Sequence, residues 1–459
     1  MAQLKTFSAG GIHRADNKLT RKKAIQELPP PVQVTIPIRQ HIGKAGTLLV
    51  ERGAEVLVGT PIAAADGFIS AAVHSSVSGT VKKIDAVIDA QGFRRTAVVI
   101  AVSGDTWEEH IDTSPALIED IPTDRSVILS KIGAAGIVGA GGATFPTAVK
   151  FSIPEGRTVD TLIINGVECE PYLTADHRLM LEHADELIVG IRLLMHAAGV
   201  GRAIIGVEVN KEDAIALLQE RIREKTRDGK IPEGFISVVP LKERYPQGGE
   251  KQLIEATTGR EVPSGRLPLD VQCIVSNVST AYAVYQGVQK NRPFVDRIVT
   301  VTGEQLVTSG GGGNFRVRLG TPLREVVEAA GGVPGGTGKI IMGGPMTGRA
   351  VTSLEVPVTK GSGGIILMDE AQARRNAVGP CIRCSSCVGV CPMGLEPYLL
   401  EKLVQRGRFE EAEREGILDC IECGSCSYVC PSNRAILDWI RLGKTKVGEL
   451  RRERMRGTR

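Results

Sequence analysis

Eight of the chain's ten cysteines lie within its last 80 residues and repeat one spacing twice. The first run is Cys381, Cys384, Cys387 and Cys391, closed by Pro392; the second is Cys420, Cys423, Cys426 and Cys430, closed by Pro431. Thiolates are soft ligands, and gaps of two residues let one short loop wrap a cubane and reach three of its irons. That is the chemistry of a 4Fe–4S cluster, a carrier of single electrons. Zinc also takes Cys-x-x-Cys pairs. It requires four ligands per site, but neither a third cysteine at three-residue spacing nor a closing Cys-Pro.

Each run reads Cys-x-x-Cys-x-x-Cys-x-x-x-Cys-Pro and resembles bacterial two-cluster ferredoxins, in which the fourth cysteine serves the other cluster. The resemblance implies one cluster on Cys381, Cys384, Cys387 and Cys430 and another on Cys420, Cys423, Cys426 and Cys391. Between the runs, "LEPYLLEKLVQRGRFEEAEREG" has helical apolar spacing, so two short helices are expected to carry the loops. Cys169 and Cys273 have no partner spacing and read as small buried hydrophobes.

The elements that position such a centre need room. At 459 residues, the chain is roughly three domains' worth, with about 150 residues each. A hydrophobic content of 42% with 24% charged residues supports several packed cores and excludes a disordered or fibrous chain. No apolar stretch approaches the roughly 18 residues of a membrane helix, and the start "MAQLKTFSAGGIHRADNKLT" lacks the apolar core of a signal peptide. The chain is therefore expected neither to span a bilayer nor to be exported, and its cysteines are not expected to form disulfides. Its net charge of +4 is unevenly placed: "RLGKTKVGELRRERMRGTR" at 441–459 holds eight Lys/Arg against two Glu. That tail reads as solvated, or as docking to an acidic partner or anionic lipid.

Residues 1–30 are polar and end in "LPPP", an extended lead-in. From Val32 to about Val102, short β-rich runs punctuated by Gly53, Gly59, Gly67 and Gly79 predict a small all-β module. This module resembles the lipoyl/biotinyl barrel-sandwich family, with "SSVSGTV" as a later strand. The hairpin where that family carries a modified lysine reads "ADGFIS", so a scaffold is expected in place of a swinging arm.

Over 116–290, "DTLIING", "AIIGVEVN" and "ISVVPL" read as buried parallel strands. "DHRLMLEHADELIVGIRLLMHAAG" and "KEDAIALLQERIREK" read as the helices between them. The βαβαβ order predicts a doubly wound sheet. Residues 296–350 return to strands, with one helix at "PLREVVEAAGG". Two glycine-rich stretches there do not signal phosphate chemistry. "SGGGGN" at 309–314 reads as a hairpin loop, and "GGTGK" fails as a P-loop because Val333 and Ile340 occupy the required Gly and Ser/Thr places.

"GAAGIVGAGGATFPTAVK" spans Gly133 to Lys150 and also fails the Gly-x-Gly-x-x-Gly test, since the sixth place from Gly139 is Thr144. Closely spaced glycines nevertheless expose backbone N–H groups to a phosphate or flat ring, and Lys150 adds charge. A cofactor loop is therefore favoured over a packing loop.

"GAGGATFPTAVK", "INGVECEPYLTADHRLM", "YPQGGEKQLIEATTGREVPSGRLPLD" and "SNVSTAYAV" together resemble the flavin- and NADH-binding subunit of respiratory complex I. With "KTFSAGGIH", "DNKLT" and the twin cysteine runs, nearly the whole chain is similar to the RnfC family of the Rnf electron-transport complexes. The resemblance implies non-covalent FMN lined by Gly139, Gly141, Gly142 and Lys150, with Asn165 and Glu168 on a facing loop. It places Asn277 and Thr280 near the flavin phosphate, Glu250 beside the nicotinamide of NAD(H), and Phe145 against the dinucleotide. Two positions depart from complex I: its paired glutamates read Gly249-Glu250, and an aspartate is Val167.

The implied fold is multidomain α/β. An extended segment (1–30) leads to a barrel-sandwich β module (31–115) and a Rossmann-like FMN/NADH domain (116–290). A β-grasp, SLBB-like segment (291–365), a helical two-cluster ferredoxin domain (366–440) and the basic tail (441–459) follow. The implied function is a peripheral subunit at the cytoplasmic face of a bacterial inner membrane, exchanging a hydride between NAD(H) and FMN and passing electrons through two 4Fe–4S clusters. Its implied partners are a ferredoxin-like cluster subunit and integral membrane subunits that move Na⁺ or H⁺; no nucleic acid is expected. The competing readings are a microcompartment cobalamin reductase, disfavoured by the "KTFSAGGIH" start and basic tail, and a non-enzymatic iron–sulfur relay.

Overall fold

A computed structural model describes residues 4–457. The all-β module pairs Gln33–Pro37, Arg94–Gly104, Ser78–Ile88 and Glu55–Val56 in one sheet and Thr47–Leu48, Pro61–Ala64 and Val73–His74 in another. Side chains from both sheets, among them Val34, Ile36, Val56, Ile62, Val73 and Ile100, share one core. Alternation along short strands produces this result, because every second residue faces inward.

The three strands read as buried and parallel are joined by an unexpected fourth, Cys273–Asn277, in a parallel sheet of spatial order Ile236–Leu241, Ala203–Glu208, Thr161–Asn165, Cys273–Asn277. Strand order reverses beside Thr161–Asn165, and there Asn165 and Asn277 are direct neighbours at the carboxyl ends of their strands. Such a reversal opens a crevice at the sheet's carboxyl edge. The long helix expected after it is two helices, Ala175–Glu182 and Ala184–Ala198, broken at His183 and closed by Gly199 in the left-handed region at φ 70°. Gly190 on the second helix lies against helix Val278–Gln289, so closely that a Cβ would stand 2.0 Å from the Ala281 carbonyl oxygen.

A six-stranded mixed sheet follows, in the order Ile25–Glu27, Gly313–Arg318, Asp296–Thr302, Gly364–Asp369, Thr337–Met342, Arg349–Ala350. The loop at "SGGGGN" joins two of its antiparallel strands after a short helix, Glu304–Thr308. Its carbonyls at Gly311 and Gly312 accept from Lys23 Nζ at 2.6 and 3.0 Å, an electron-rich lining opposite to what a phosphate would need. The helices Pro397–Gln405 and Phe409–Arg414 between the cysteine runs pack with Ile436–Gly457 around Leu400, Val404, Ile417, Ile440 and Val447.

Three expected boundaries move. Residues 1–30 are not a free lead-in, because Ile25–Glu27 is the edge strand of the six-stranded sheet, paired with Asn314–Arg316. The division at 365/366 falls inside strand Gly364–Asp369. The division at 440/441 falls inside helix Ile436–Gly457, so the basic segment through Gly457 continues that helix, and residues 458–459 lie outside the described ones.

The N-terminal segment works as a strap. Ile12 and Tyr245 exchange backbone hydrogen bonds at 2.8 and 2.9 Å, while the Gly11 amide donates to Val390 in the cysteine-rich module at 2.9 Å. Further along, Lys18 is buried and donates to the carbonyls of Glu168, Glu170 and Leu173 at 2.7, 2.9 and 2.6 Å. Desolvation holds its ammonium down at about 8.

Two substitutions test this architecture. Gly190→Val forces the two helices apart and is expected to cost at least about 1–3 kcal/mol in chemical denaturation; wild-type stability would refute the close contact. Lys18→Met strips three carbonyls of their donor in a buried network and is expected to cost about 3–5 kcal/mol. Limited proteolysis should then cut first at residues 166–174.

Candidate functional site

The glycine-rich stretch leaves helix Arg125–Ala134 and closes on itself: Gly139 N donates to Phe145 O at 2.9 Å, and Thr144 N donates to Gly139 O at 3.2 Å. Thr280 Oγ1, in the first turn of helix Val278–Gln289, holds the loop by accepting from Ala140 N at 2.8 Å. Gly141 sits against Asn277, where a Cβ would be 3.3 Å from the Asn277 Cβ. Gly142 adopts φ 108° with open space beyond it, so glycine is required there by backbone conformation. Among the described residues, the amides of Gly141, Gly142 and Ala143 have no protein acceptor, and all three residues are exposed. Three successive free N–H groups over the carboxyl edge of a parallel sheet form an anion-accepting concavity.

Across the crevice, Lys150 at the end of the short helix Thr147–Phe151 reaches Glu250 Oε1 at 2.7 Å. Glu250 begins helix Glu250–Thr258 immediately after Gly249. Asn165 donates to Gly248 O at 2.9 Å and accepts from Val167 N at 3.1 Å, fixing the floor of the crevice. Asn277 caps helix Val278–Gln289 through Ser279 N at 2.9 Å and donates to Asp176 Oδ2 at 2.7 Å. Asp176 also accepts from Ser279 Oγ at 2.6 Å. That carboxylate organises the switch point yet carries no local sequence signal beyond its place in "LTADHRLM".

The structure thus links the expected residues in pairs at the carboxyl edge of the parallel sheet: Gly139 with Phe145, Gly141 with Asn277, Thr280 with Ala140 beside Gly141, Lys150 with Glu250, and Asn165 with Gly248. Glu168 differs. Its carboxylate turns under the loop to accept from Asp176 N at 2.8 Å and His177 N at 3.2 Å, capping helix Ala175–Glu182. Its side chain is only 6% exposed and its pKa is raised by burial, so its expected place on the facing loop is a structural one. Cys169 follows it against Gly248, and burial pushes its thiol up to about 12, away from the thiolate form.

The ligand-type cysteines separate into two cavities. Cys381, Cys384, Cys387 and Cys430 line one; Cys391, Cys420, Cys423 and Cys426 line the other. The second set faces the crevice module. Tyr245 OH donates to Cys423 O at 2.6 Å, and Gln252 Nε2, two residues beyond Glu250, lies 3.3 Å from Pro392 O. Gly10 of the strap is squeezed against Cys391, where a Cβ would meet its carbonyl carbon at 2.5 Å. Leu395 N and Glu422 N lie 3.4 Å from the Cys391 and Cys420 sulfurs, the kind of contact that tunes a thiolate-bound cluster. The first set faces outward, with Cys384 exposed and neighbouring Ile382 64% exposed.

The donor sets fit both groups: free amides and a lysine suit an anionic, flat cofactor, and four thiols around each cavity suit a cubane. Comparison with known proteins agrees at the level of domains. Residues 5–105 match the RnfC barrel sandwich hybrid domain, 132–286 the Nuo51 FMN-binding domain, and 380–436 the 4Fe-4S dicluster domain. The C subunit of a Na⁺-translocating ferredoxin:NAD⁺ oxidoreductase complex from Acetobacterium woodii is 40% identical, covering 97% of this chain and 98% of its own. The C subunit of the proton-translocating complex from Clostridium ljungdahlii is 41% identical over 89% of this chain and 87% of its own. An NAD⁺-reducing [NiFe]-hydrogenase chain, 21% identical, shares the fold with a TM-score of 0.51 over 76% of this chain and 70% of that one. No helix among the described residues is long and apolar enough to cross a membrane. With that degree of identity along almost its full length, the chain belongs to the RnfC family of ferredoxin:NAD⁺ oxidoreductase complexes.

Proposed function

We propose that this chain is the electron-transfer subunit of an Rnf-type complex, exchanging a hydride between NAD(H) and FMN and passing single electrons through two 4Fe–4S clusters. Ion movement belongs to separate membrane subunits, against which this chain sits peripherally at the cytoplasmic face, beside a ferredoxin-like cluster subunit. In this reading the four-stranded sheet is a Rossmann-like flavin domain and the six-stranded sheet a β-grasp of the SLBB kind. The observation that carries the proposal is the row of free amides at Gly141–Ala143 standing over the switch point, with one set of four cysteines packed against the same module.

Bound FMN supplies the conversion between an electron pair and single electrons. The residues supply placement. The Gly141, Gly142 and Ala143 amides receive anionic or carbonyl oxygens; Lys150 adds positive charge, and its ion pair keeps Glu250 oriented at the mouth of the crevice. Asn165 and Thr280 hold the two walls at fixed separation. Tyr245 and Gln252 bind the backbone of the inner cysteine loops, so the inner cluster site cannot drift from the crevice. Cys391, Cys420, Cys423 and Cys426 would hold a cluster against the parallel-sheet module and Cys381, Cys384, Cys387 and Cys430 one nearer the surface, so that electrons would have an inner and an outer station.

Anaerobic reconstitution with iron, sulfide and FMN is expected to yield about eight irons per chain, four per cluster. NADH should then bleach the flavin and give two interacting EPR signals. Zinc in place of iron, or no bleaching, would overturn the reading. In Cys423→Ser the flavin should still bleach, while NADH-driven reduction of the remaining outer cluster slows by at least about tenfold, because the inner station is lost.

A further inference from the structure

We propose that Arg14, on the N-terminal strap, is a positioning residue for the inner cysteine set: it holds the Tyr245 ring against the Cys423 loop and makes a cluster there easier to reduce. This rests on the reading of Cys391, Cys420, Cys423 and Cys426 as the ligands of one cluster, and adds a residue that sets its potential. The Arg14 guanidinium lies over the Tyr245 ring, its Cζ 4.7 Å from the centroid, and that ring carries the hydroxyl that donates to Cys423 O at 2.6 Å. Tyr245 is only 5% exposed, and its backbone is tied to Ile12, two residues before Arg14. One short stretch of strap therefore grips Tyr245 twice, by main chain at Ile12 and by side chain at Arg14. The same stretch meets the other loop of the set, through Gly11 N on Val390 O at 2.9 Å and Gly10 against Cys391.

The charge on Arg14 is left without an ion pair. Its Nη2 donates to a neutral acceptor, the Cys169 carbonyl, and its Nε is buried with no hydrogen-bond partner among the described residues. Glu170 and Glu208 are near enough to feel the charge, but both are engaged elsewhere. Glu170 accepts from Met346 N and Thr347 N at 3.0 and 2.9 Å, and Glu208 stands 3.7 Å from Lys211. Lys444, by contrast, reaches Cys420 O at 2.6 Å but is neutralised by Glu422 at 2.8 Å. Four thiolates make the inner site negative, and reduction adds one further negative charge. An unpaired cation behind the ring lowers the cost of that charge, because buried protein screens it less than water does. The Tyr245 hydroxyl acts in the same direction, drawing electron density from a carbonyl of the cluster loop. The electron is the one passed on from the flavin in the proposed function. Arginine keeps its proton at every working pH, so no proton moves at this site.

The test uses the full chain reconstituted with iron, sulfide and FMN, in a dye-mediated redox titration followed by EPR. The inner signal is the one lost in Cys423→Ser. Arg14→Gln should shift the one-electron reduction equilibrium of the inner cluster about tenfold toward the oxidised form, a fall of about 59 mV in its midpoint, and leave the outer cluster unmoved. Arg14→Lys, which keeps the charge, should retain most of the wild-type value. Tyr245→Phe, which keeps the ring and loses the hydroxyl, should lower the same midpoint by a smaller amount. An unchanged inner midpoint in Arg14→Gln overturns the proposal. So does an equal fall in Arg14→Lys, or an equal shift of both clusters, since either means looser packing and not a lost charge. If Arg14→Gln assembles no inner cluster, Tyr245→Phe decides, and an unshifted midpoint there overturns the proposal. A wild-type chain that takes up no iron would overturn the underlying reading of the cysteines, whereas two assembled clusters with an unmoved midpoint in Arg14→Gln overturn the role of Arg14 alone.

Discussion

A lysine ammonium removed from water must be surrounded by oxygen, and Lys18 imposes that requirement on the whole carboxyl edge of the parallel sheet. Its three bonds to Glu168, Glu170 and Leu173 force the loop after Asn165 to turn its carbonyls inward. Lys211 does the same to Val167 O at 2.7 Å from the opposite side. Glu168 and Glu208 stand nearby as buried counter-charges at 3.9 and 3.7 Å from those two ammonium groups. With the loop so constrained, Asn165 can reach Gly248, and Glu168 can cap the helix that presents Asp176 to Asn277. The crevice is a consequence of how buried charge is satisfied. Because Lys18 lies on the strap, the N-terminal segment is part of the site's foundation.

The same strap passes between the crevice module and the inner cysteine loop, and Gly10 is the residue that allows it to fit. Inner and outer cavities consequently differ in environment. Burial pushes the Cys420 thiol up to about 11, whereas local hydrogen bonding to Ser386 lowers that of exposed Cys384. The two cysteine sets differ in exposure and in N–H contacts to sulfur, features by which a protein tunes a thiolate-bound cluster. One cysteine set is thus sheltered against the parallel-sheet module, while the other opens to solvent at Cys384.

The basic C-terminal segment shows how tertiary pairing revises a reading of net charge. Arg441 and Lys444 bond Glu422 at 3.1 and 2.8 Å, and Lys444 also donates to Cys420 O at 2.6 Å, so the helix braces the second cysteine loop. Arg451 and Arg454 converge on Glu413 from the neighbouring helix. Four basic side chains of this stretch are thus paired with carboxylates, Arg441 and Lys444 largely covered and Arg451 and Arg454 still 55% exposed. The surface it leaves is correspondingly less basic than the count of lysines and arginines implies.

The cysteine runs, the glycine-rich loop and the buried strands were legible in the amino-acid order because each depends on neighbours a few residues apart: ligand gaps, backbone freedom at glycine, and apolar periodicity. The single long helix expected after Asn165 broke at His183 because the periodicity of its apolar face carries through a turn whose backbone the tertiary packing overrides. The strap's edge strand was hidden because Ile25–Glu27 pairs with residues almost 300 positions away, and no local pattern encodes such a partner. The capping of helix Ala175–Glu182 by Glu168 was hidden for the same reason, since it depends on where Lys18 and Asp176 arrive. The sequence by itself thus determined which chemical groups the chain can hold. The grouping of the cysteines into two sets, implied by the repeated run, is the one the cavities show; only the tertiary structure decided which amides stay free and which segments pack against the cysteine loops, since those relations join segments separated by tens to hundreds of residues and are set by how the modules close on one another.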